Sequence, residues 1–202
     1  MEIVTCRDWS AIPRDNASLP RSPAQGVVIH HMASPNVDVP AGEAMAHAKQ
    51  LARSVQQSHL GRGWRDSGQH FSVTRTGIVL EGRNGSLVAA QKGMVLQGAH
   101  AGNNDANRTL FGIECEGTYT DAAMPGELWA ALVELCAQLA LWGRFQAVAI
   151  YPHSHFRPTE CPGAWTRAHL EALAAAVKER KISMLEVALR ELTKTLHPPK
   201  EE

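Results

Sequence analysis

Two histidines and a cysteine are the side chains of this sequence best suited to hold a metal ion. His153 and Cys161 stand in the segment His153-Ser154-His155-Phe156-Arg157-Pro158-Thr159-Glu160-Cys161-Pro162-Gly163. The segment follows an expected strand and precedes an expected helix, so it can present several side chains at one sheet edge. A third donor has to come from another strand end, and His30, which closes the run Gln25-Gly26-Val27-Val28-Ile29, sits on one. Two imidazoles and one thiolate leave the fourth position of a tetrahedral zinc open to water. That ion would acidify the water and polarise a carbonyl, which is the chemistry of acyl-bond hydrolysis. The spacing alone suits a plain surface loop equally well. No HExxH, Walker or GxGxxG pattern offers a competing site. Ten histidines in 202 residues also point to metal or acid–base chemistry.

The elements that must position these groups are legible from periodicity. Residues 1–24 are rich in Pro, Ser, Arg and Asn and read as an irregular lead-in. Residues 25–30 read as a buried strand. Residues 40–58 carry Ala, Met and Leu at helical spacing, and Gly61-Arg62-Gly63 ends that helix. His70 to Arg75 alternates as a strand, and Thr76-Gly77 turns it into Ile78-Val79-Leu80-Glu81. Residues 99–109 read as a Gly/Asn loop. Phe111 to Glu116 is a further strand, with Phe111, Ile113 and Cys115 on one face and Gly112, Glu114 and Glu116 on the other. Pro125 fits the first turn of a helix reaching Gly143. Ala147 to Tyr151 reads as a short buried strand. A patterned helix follows over 165–180, and a second amphipathic helix over 182–196 ends at His197-Pro198-Pro199. Strands interleaved with helices predict an α/β or α+β fold, a central mixed β-sheet flanked by helices.

The bulk composition narrows the function classes. Hydrophobic residues at 44% and charged residues at 20% suit a soluble globular protein with a real core. Lysine plus arginine equal aspartate plus glutamate, which argues against nucleic acid or an anionic membrane as the main partner. No apolar run reaches membrane-spanning length. The start Met1-Glu2-Ile3-Val4-Thr5-Cys6-Arg7-Asp8 lacks the basic and apolar parts of a signal peptide. The chain is therefore expected to be made in the cytoplasm, and to act there or on cell wall after release or export. Cys6, Cys115, Cys136 and Cys161 form no close pair, and Cys115 and Cys136 read as buried small hydrophobes. His47, His59, His169 and His197 read as solvated or structural. Trp129, Trp142 and Trp165 read as core.

Several landmarks, in order, resemble one family over roughly residues 25–175. Val28-Ile29-His30-His31 looks like a first ligand strand. Gly63-Trp64-Arg65-Asp66-Ser67-Gly68-Gln69-His70-Phe71 is similar to a Gly-Trp-x-Asp-x-Gly-Tyr-x-Phe segment. Glu81-Gly82-Arg83, Gly98-Ala99-His100-Ala101-Gly102 and Gly112-Ile113-Glu114-Cys115-Glu116-Gly117 match further landmarks, and Thr159-Glu160-Cys161-Pro162-Gly163 matches best. The family is that of the zinc-dependent N-acetylmuramoyl-L-alanine amidases, of the peptidoglycan recognition protein, phage T7 lysozyme and AmpD type. The resemblance implies that family's fold, with a groove over the metal. It also implies hydrolysis of the amide between the lactyl group of N-acetylmuramic acid and L-alanine in peptidoglycan or muropeptide.

The resemblance implies Zn2+ as cofactor, held by His30, His153 and Cys161. It implies Glu114 as proton acceptor, because AmpD-type enzymes use a glutamate there and lack the tyrosine that Gln69 replaces. Glutamine does not titrate near neutrality and cannot serve as acid or base. Thr159 stands where recognition-protein amidases carry threonine and the phage and AmpD enzymes carry lysine. Its hydroxyl can donate to an oxyanion but brings no charge, and His155 or Arg157 is left to supply a cation. His31, Gln69, Arg83, His100, Asn104 and His155 are expected substrate contacts. Residues 1–181 are expected to form the amidase domain and 182–202 a C-terminal amphipathic helix and tail that docks on the domain, contacts a partner or self-associates. The rival readings are a muropeptide-binding module without catalysis, and an unrelated zinc hydrolase on the same ligands. The biological setting stays open between phage lysin, wall recycling and antibacterial effector.

Overall fold

Val27, Val28 and Ile29 have no exposed surface, as expected of a strand paired on both edges and covered on both faces. The computed structural model describes residues 1–146 and 149–196. Its elements are β1 (Arg21–Pro23), β2 (Gly26–His31), α1 (Ala44–Gly61), β3 (Phe71–Val73), β4 (Val79–Glu81), α2 (Ser86–Gln91), β5 (Met94–Leu96), α3 (Asn104–Thr109), β6 (Leu110–Cys115), α4 (Gly126–Gly143), β7 (Ile150–Pro152), α5 (Ala164–Ala168) and α6 (Leu170–Leu196). Five strands form the main sheet in the order β4-β3-β6-β2-β7. β3, β6, β2 and β7 run parallel, and β4 returns antiparallel to β3. The architecture is the mixed α/β sheet with flanking helices that the sequence predicts.

Alternation along the strands sorts residues between layers. Val27 and Ile29 of β2 and Phe111, Ile113 and Cys115 of β6 pack under Leu128, Leu132, Leu135 and Leu139 of α4, and Leu173 and Val177 of α6 join them. Val28 faces the other way, onto Ala101, Ala106 and Leu110. Leu80 packs with Trp9 and with Ala48 and Ala52 of α1. Cys6, Cys115 and Cys136 are buried free thiols. Trp129, Trp142 and Trp165 pack half-buried against the main core.

The structure departs from expectation in four places. First, the N-terminal lead-in is not irregular throughout. Val4 bridges to Leu80, and Arg21–Pro23 pairs with β5; an open strand edge is thereby covered. Second, residues 104–109 form α3 rather than loop. Asn103 caps it by accepting the Ala106 N–H at 3.0 Å, and a short helix with one buried residue shows no periodicity to read. Third, Pro125 is the residue before α4, not within it. Fourth, α6 runs unbroken from Leu170 to Leu196. The polar run Lys178-Glu179-Arg180-Lys181 resembles a boundary, yet all four are good helix formers. The beginning of the expected strand over 147–151 and the stop at His197-Pro198-Pro199 lie outside the described residues, as does His197.

Candidate active site

In an open sheet with parallel strands, functional groups gather at the carboxyl ends of the strands. His30 is the last residue but one of β2, Glu114 lies beside it in β6, and His153 follows the last residue of β7. Cys161 reaches the same edge from the loop into α5. One ligand atom each from His30, His153 and Cys161 lies within 4.8 Å of the others. The three belong to a cleft of about 550 Å³ whose wall also carries His31, His59, Arg62, Trp64, His100, Glu114, Arg157 and Thr159.

A chain of hydrogen bonds sets the tautomers. His100 Nε2 lies 3.2 Å from the Leu110 carbonyl. A carbonyl only accepts, so this nitrogen carries the proton and His100 Nδ1 holds a lone pair. His30 Nε2 lies 3.1 Å from that Nδ1 and must donate to it. The lone pair of His30 Nδ1 is then directed towards Cys161 Sγ, 3.8 Å away. Burial pushes the pKa of both His30 and His100 well below the usual imidazole value, and the neighbouring histidines push the same way. Both rings are therefore neutral at physiological pH. Burial and then the Arg157 charge lower His153 as well, against a hydrogen bond to the Ala101 backbone.

Two glycines admit the His100 ring. A Cβ on Gly112 would lie 2.4 Å from His100 Cγ, and one on Gly98 would lie 2.9 Å from His100 Cδ2. Asn107 fixes the loop by accepting the N–H groups of His100 and Ala101 at 2.9 Å each. His70 lies buried behind, donating to the Leu96 carbonyl at 2.6 Å and accepting the Gly112 N–H at 2.8 Å. Burial lowers its pKa to about 3.

The donor set suits zinc. The sites of this metal take thiolate and imidazole, with bonds of about 2.0–2.3 Å. His153 Nε2 is buried and has no hydrogen-bond partner, an orphan that a metal would satisfy. Cys161 accepts the His31 N–H at 3.4 Å, yet burial pushes its thiol up to about 12. Without a cation nearby it stays protonated. A divalent ion supplies the charge that makes it a thiolate.

Glu114 is partly exposed on the cleft wall. Burial of its carboxyl raises the pKa to about 7, and the Arg62 guanidinium opposes the rise. Glu116, on the same strand face, is instead tied up by His47 Nε2 at 2.5 Å and by the Arg75 N–H at 2.9 Å. Thr159 Oγ1 accepts the Cys161 N–H at 3.2 Å and so braces the thiol's backbone. Its hydroxyl proton remains free for another acceptor.

The structure brings His31, His100, Glu114 and Thr159 to the cleft shared by His30, His153 and Cys161. It does not bring Gln69, Arg83, Asn104 or His155 to the cleft wall. Gln69 is buried, with its amide donating to Ser72 Oγ at 3.1 Å. Arg83 is buried and donates to the Ser67 carbonyl at 2.8 Å, bracing the loop that carries Asp66. Asn104 is exposed at the start of α3. His155 points to a separate hollow beside Tyr151 and Phe156. Between the two candidate cations, Arg157 lines the cleft and His155 does not.

Three cleft residues had no functional expectation. His59, taken from sequence as solvated or structural, is buried on the cleft side of α1. Its ring stacks on Trp64 with centroids 4.6 Å apart, and its Nδ1 accepts the Gly68 N–H at 3.0 Å. Arg62 sits over the same indole, 5.8 Å from its centroid. The signal for His59 was available: it continues the buried stripe Ala48, Ala52, Gln56 at helical spacing. Asp66 holds the segment by accepting from Asn16, Gln56 and Asn84 side chains.

The family profile described as N-acetylmuramoyl-L-alanine amidase (Amidase_2) matches residues 20–164. Among solved structures, wild-type PGRP-LB of Drosophila superposes with a TM-score of 0.68 at 26% identity, covering 84% of this chain and 92% of that one. A tyrosine-to-phenylalanine variant of Drosophila PGRP-LB, in complex with tracheal cytotoxin, gives 0.66 at 26% identity, covering 83% and 92%. The N-acetylmuramoyl-L-alanine amidase LysC of Clostridium intestinale URNW shares the fold, with a TM-score of 0.60 at 22% identity and coverage of 85% and 96%. No curated protein sequence gives a match.

Proposed function

The chain belongs to the N-acetylmuramoyl-L-alanine amidase family, and from that membership we propose that it cuts the amide between the lactyl group of N-acetylmuramic acid and L-alanine. The fold is one used for peptidoglycan cleavage or binding. What favours cleavage is the convergence of His30, His153 and Cys161 within 4.8 Å, with the Glu114 carboxyl on the same cleft. Zinc bound by the three donors supplies Lewis acidity for the carbonyl and for water.

The rest of the reaction falls to the chain's own groups. Glu114 takes the proton of the attacking water and hands it to the leaving L-alanine nitrogen. Arg157 provides positive charge near the carbonyl oxygen, and Thr159 donates its hydroxyl proton there. Trp64, stacked on His59, offers a flat apolar wall beside His31 for a sugar or stem peptide. In this reading Gln69, Arg83 and Asn104 act from behind the wall or outside it. Residues 1–181 are the catalytic unit and 182–202 an appendage to it. No helix of the described residues is long and apolar enough to cross a membrane. A role in cell-wall lysis or turnover follows from the substrate, and the tracheal cytotoxin carried by the PGRP-LB variant is a muropeptide of the class proposed here.

The deciding experiment incubates the protein with purified sacculi and with soluble muropeptide, with and without chelator. New N-terminal alanine should appear only in zinc-loaded samples and vanish with chelator. Tight binding without release, in zinc-loaded protein, selects the alternative of a binding module. The feature favouring that alternative is Gln69, buried where the family motif carries a tyrosine.

His100 gives a second test. It donates no ligand but holds the His30 tautomer, so it is a positioning residue. His100→Ala should weaken zinc binding about 10–100-fold while leaving stoichiometry at saturation unchanged. Unaltered affinity in a zinc-competition titration would remove His100 from the site's support.

A further inference from the structure

α6 carries two apolar stripes on different sides. Leu173 and Val177 are buried against α4, and Met184 joins them at the core margin. Arg180 extends this docked face with a two-pronged contact to Glu134, and Lys181 donates to the Phe145 carbonyl at 3.0 Å. Beyond Met184 every described residue of the helix is exposed. At a rise of about 1.5 Å per residue, these last twelve residues project about 18 Å from the domain.

The projecting part is not a polar spacer. Ile182, Leu185, Leu189, Leu192 and Leu196 are 49–65% exposed. Their spacing of three, four, three, four is the a/d repeat of a coiled coil. At about 100° per residue, this seam lies roughly 130° around the helix from the stripe that docks on α4. It therefore faces away from its own domain rather than continuing the contact.

We propose that residues 182–196 form a self-association surface, on which a second copy of this chain packs its own seam. The five side chains present about 500 Å² per copy, so a pair would bury about 1,000 Å², at the lower bound for a specific interface. The flanking positions hold Glu186, Ala188, Thr193 and Thr195, with no set of like charges to hold two copies apart. Glu186, Arg190, Glu191 and Lys194 balance to zero; Arg190, Glu191 and Lys194 lie on the other side of the helix, where Arg190 draws the flanking Glu186 away from the seam and Lys194 pairs with Glu191. A lipid-seeking helix instead carries an excess of Lys and Arg, so the charge pattern selects a protein partner with the same pattern. A free peptide of this length makes a marginal helix, because nucleation is costly. Here the docked first half of α6 supplies the nucleus.

Sedimentation equilibrium of the full chain tests this. The wild type should approach twice 22.0 kDa at about 100 µM and dissociate on dilution through the micromolar range, as an interface of about 1,000 Å² allows. Leu189→Glu/Leu192→Glu should stay monomeric throughout, with unchanged thermal unfolding, since both side chains are exposed in the monomer. Lys194→Ala, on the opposite side, should associate as the wild type does. A wild type that is monomeric at 200 µM overturns the proposal, and so does a double variant that still dimerises. A monomeric wild type that sediments with phosphatidylglycerol vesicles overturns it in favour of a lipid surface.

Discussion

Cys161→Ser should leave the protein folded, empty of zinc and inactive. Serine keeps the side chain's size, and its hydroxyl can still accept the His31 N–H that now reaches Sγ at 3.4 Å. What it loses is the thiolate. The ligand set falls to two neutral imidazoles, which many metals bind weakly and exchange readily. The loss should exceed the roughly 10–100-fold that removing a supporting residue costs. Zinc should be absent after dialysis, and alanine release should fall at least 1,000-fold, on the order of the barrier that Lewis-acid chemistry removes. Muropeptide binding provides the fold control, because Trp64, His59 and Arg62 stay in place. A serine variant that retains full zinc and turnover would show that Cys161 is no ligand.

The sequence made the convergence of His30, His153 and Cys161 readable because each lies near a strand end or in a loop with a distinctive local motif. The face that Glu114 takes was readable for a similar reason: period-two alternation in β6 put it opposite Phe111, Ile113 and Cys115, which form core. The supporting layer was not readable. His100 sits in a Gly/Asn loop without periodicity, and its burial depends on Gly98 and Gly112, the latter on a strand further along the chain. His70 is invisible for the same reason, since its two partners come from residues 96 and 112. Local pattern reports which face a residue takes, and it does not report which distant backbone will meet it.

The substrate contacts show the converse problem. Arg83 and Gln69 stand in well-marked motifs, and motif strength suggested contact with ligand. Both are buried, and both serve the 66–72 segment through Ser67 and Ser72. A recognisable motif is therefore as often the frame of a site as its wall. One side of the wall comes from α1 and the turn after it, where His59 looked like an ordinary helix residue. The length of α6 was hidden because helix formers fill the stretch where a break was expected. Its outer stripe was plain in sequence, and only its distance from the domain required coordinates.

Glu114→Gln should lower turnover about 100-fold or more while zinc content stays at wild-type level. Glutamine matches the carboxyl in size and cannot accept a proton at neutral pH. Because the carboxyl's pKa is raised to about 7 by burial, the wild type should lose activity as pH falls through this region. Positive charge at the metal donors favours the ionised form and moves that limb lower. The same raised pKa makes a stability prediction of definite sign. In the unfolded chain Glu114 ionises near the ordinary glutamate value of about 4.3. Between that value and about 7, the folded state holds a proton that the unfolded state releases, so the group makes folding less favourable as pH rises. The cost is absent at pH 4 and fully present at pH 8. Discounted for partial exposure, it is on the order of 2 kcal/mol. Metal-free Glu114→Gln should therefore melt higher than wild type at pH 8 and equally at pH 4. A group that only shaped the cleft would change stability alike at both values. Near-normal turnover in the variant, or a melting difference independent of pH, would mean that Glu114 is not the proton acceptor held ready in its buried site.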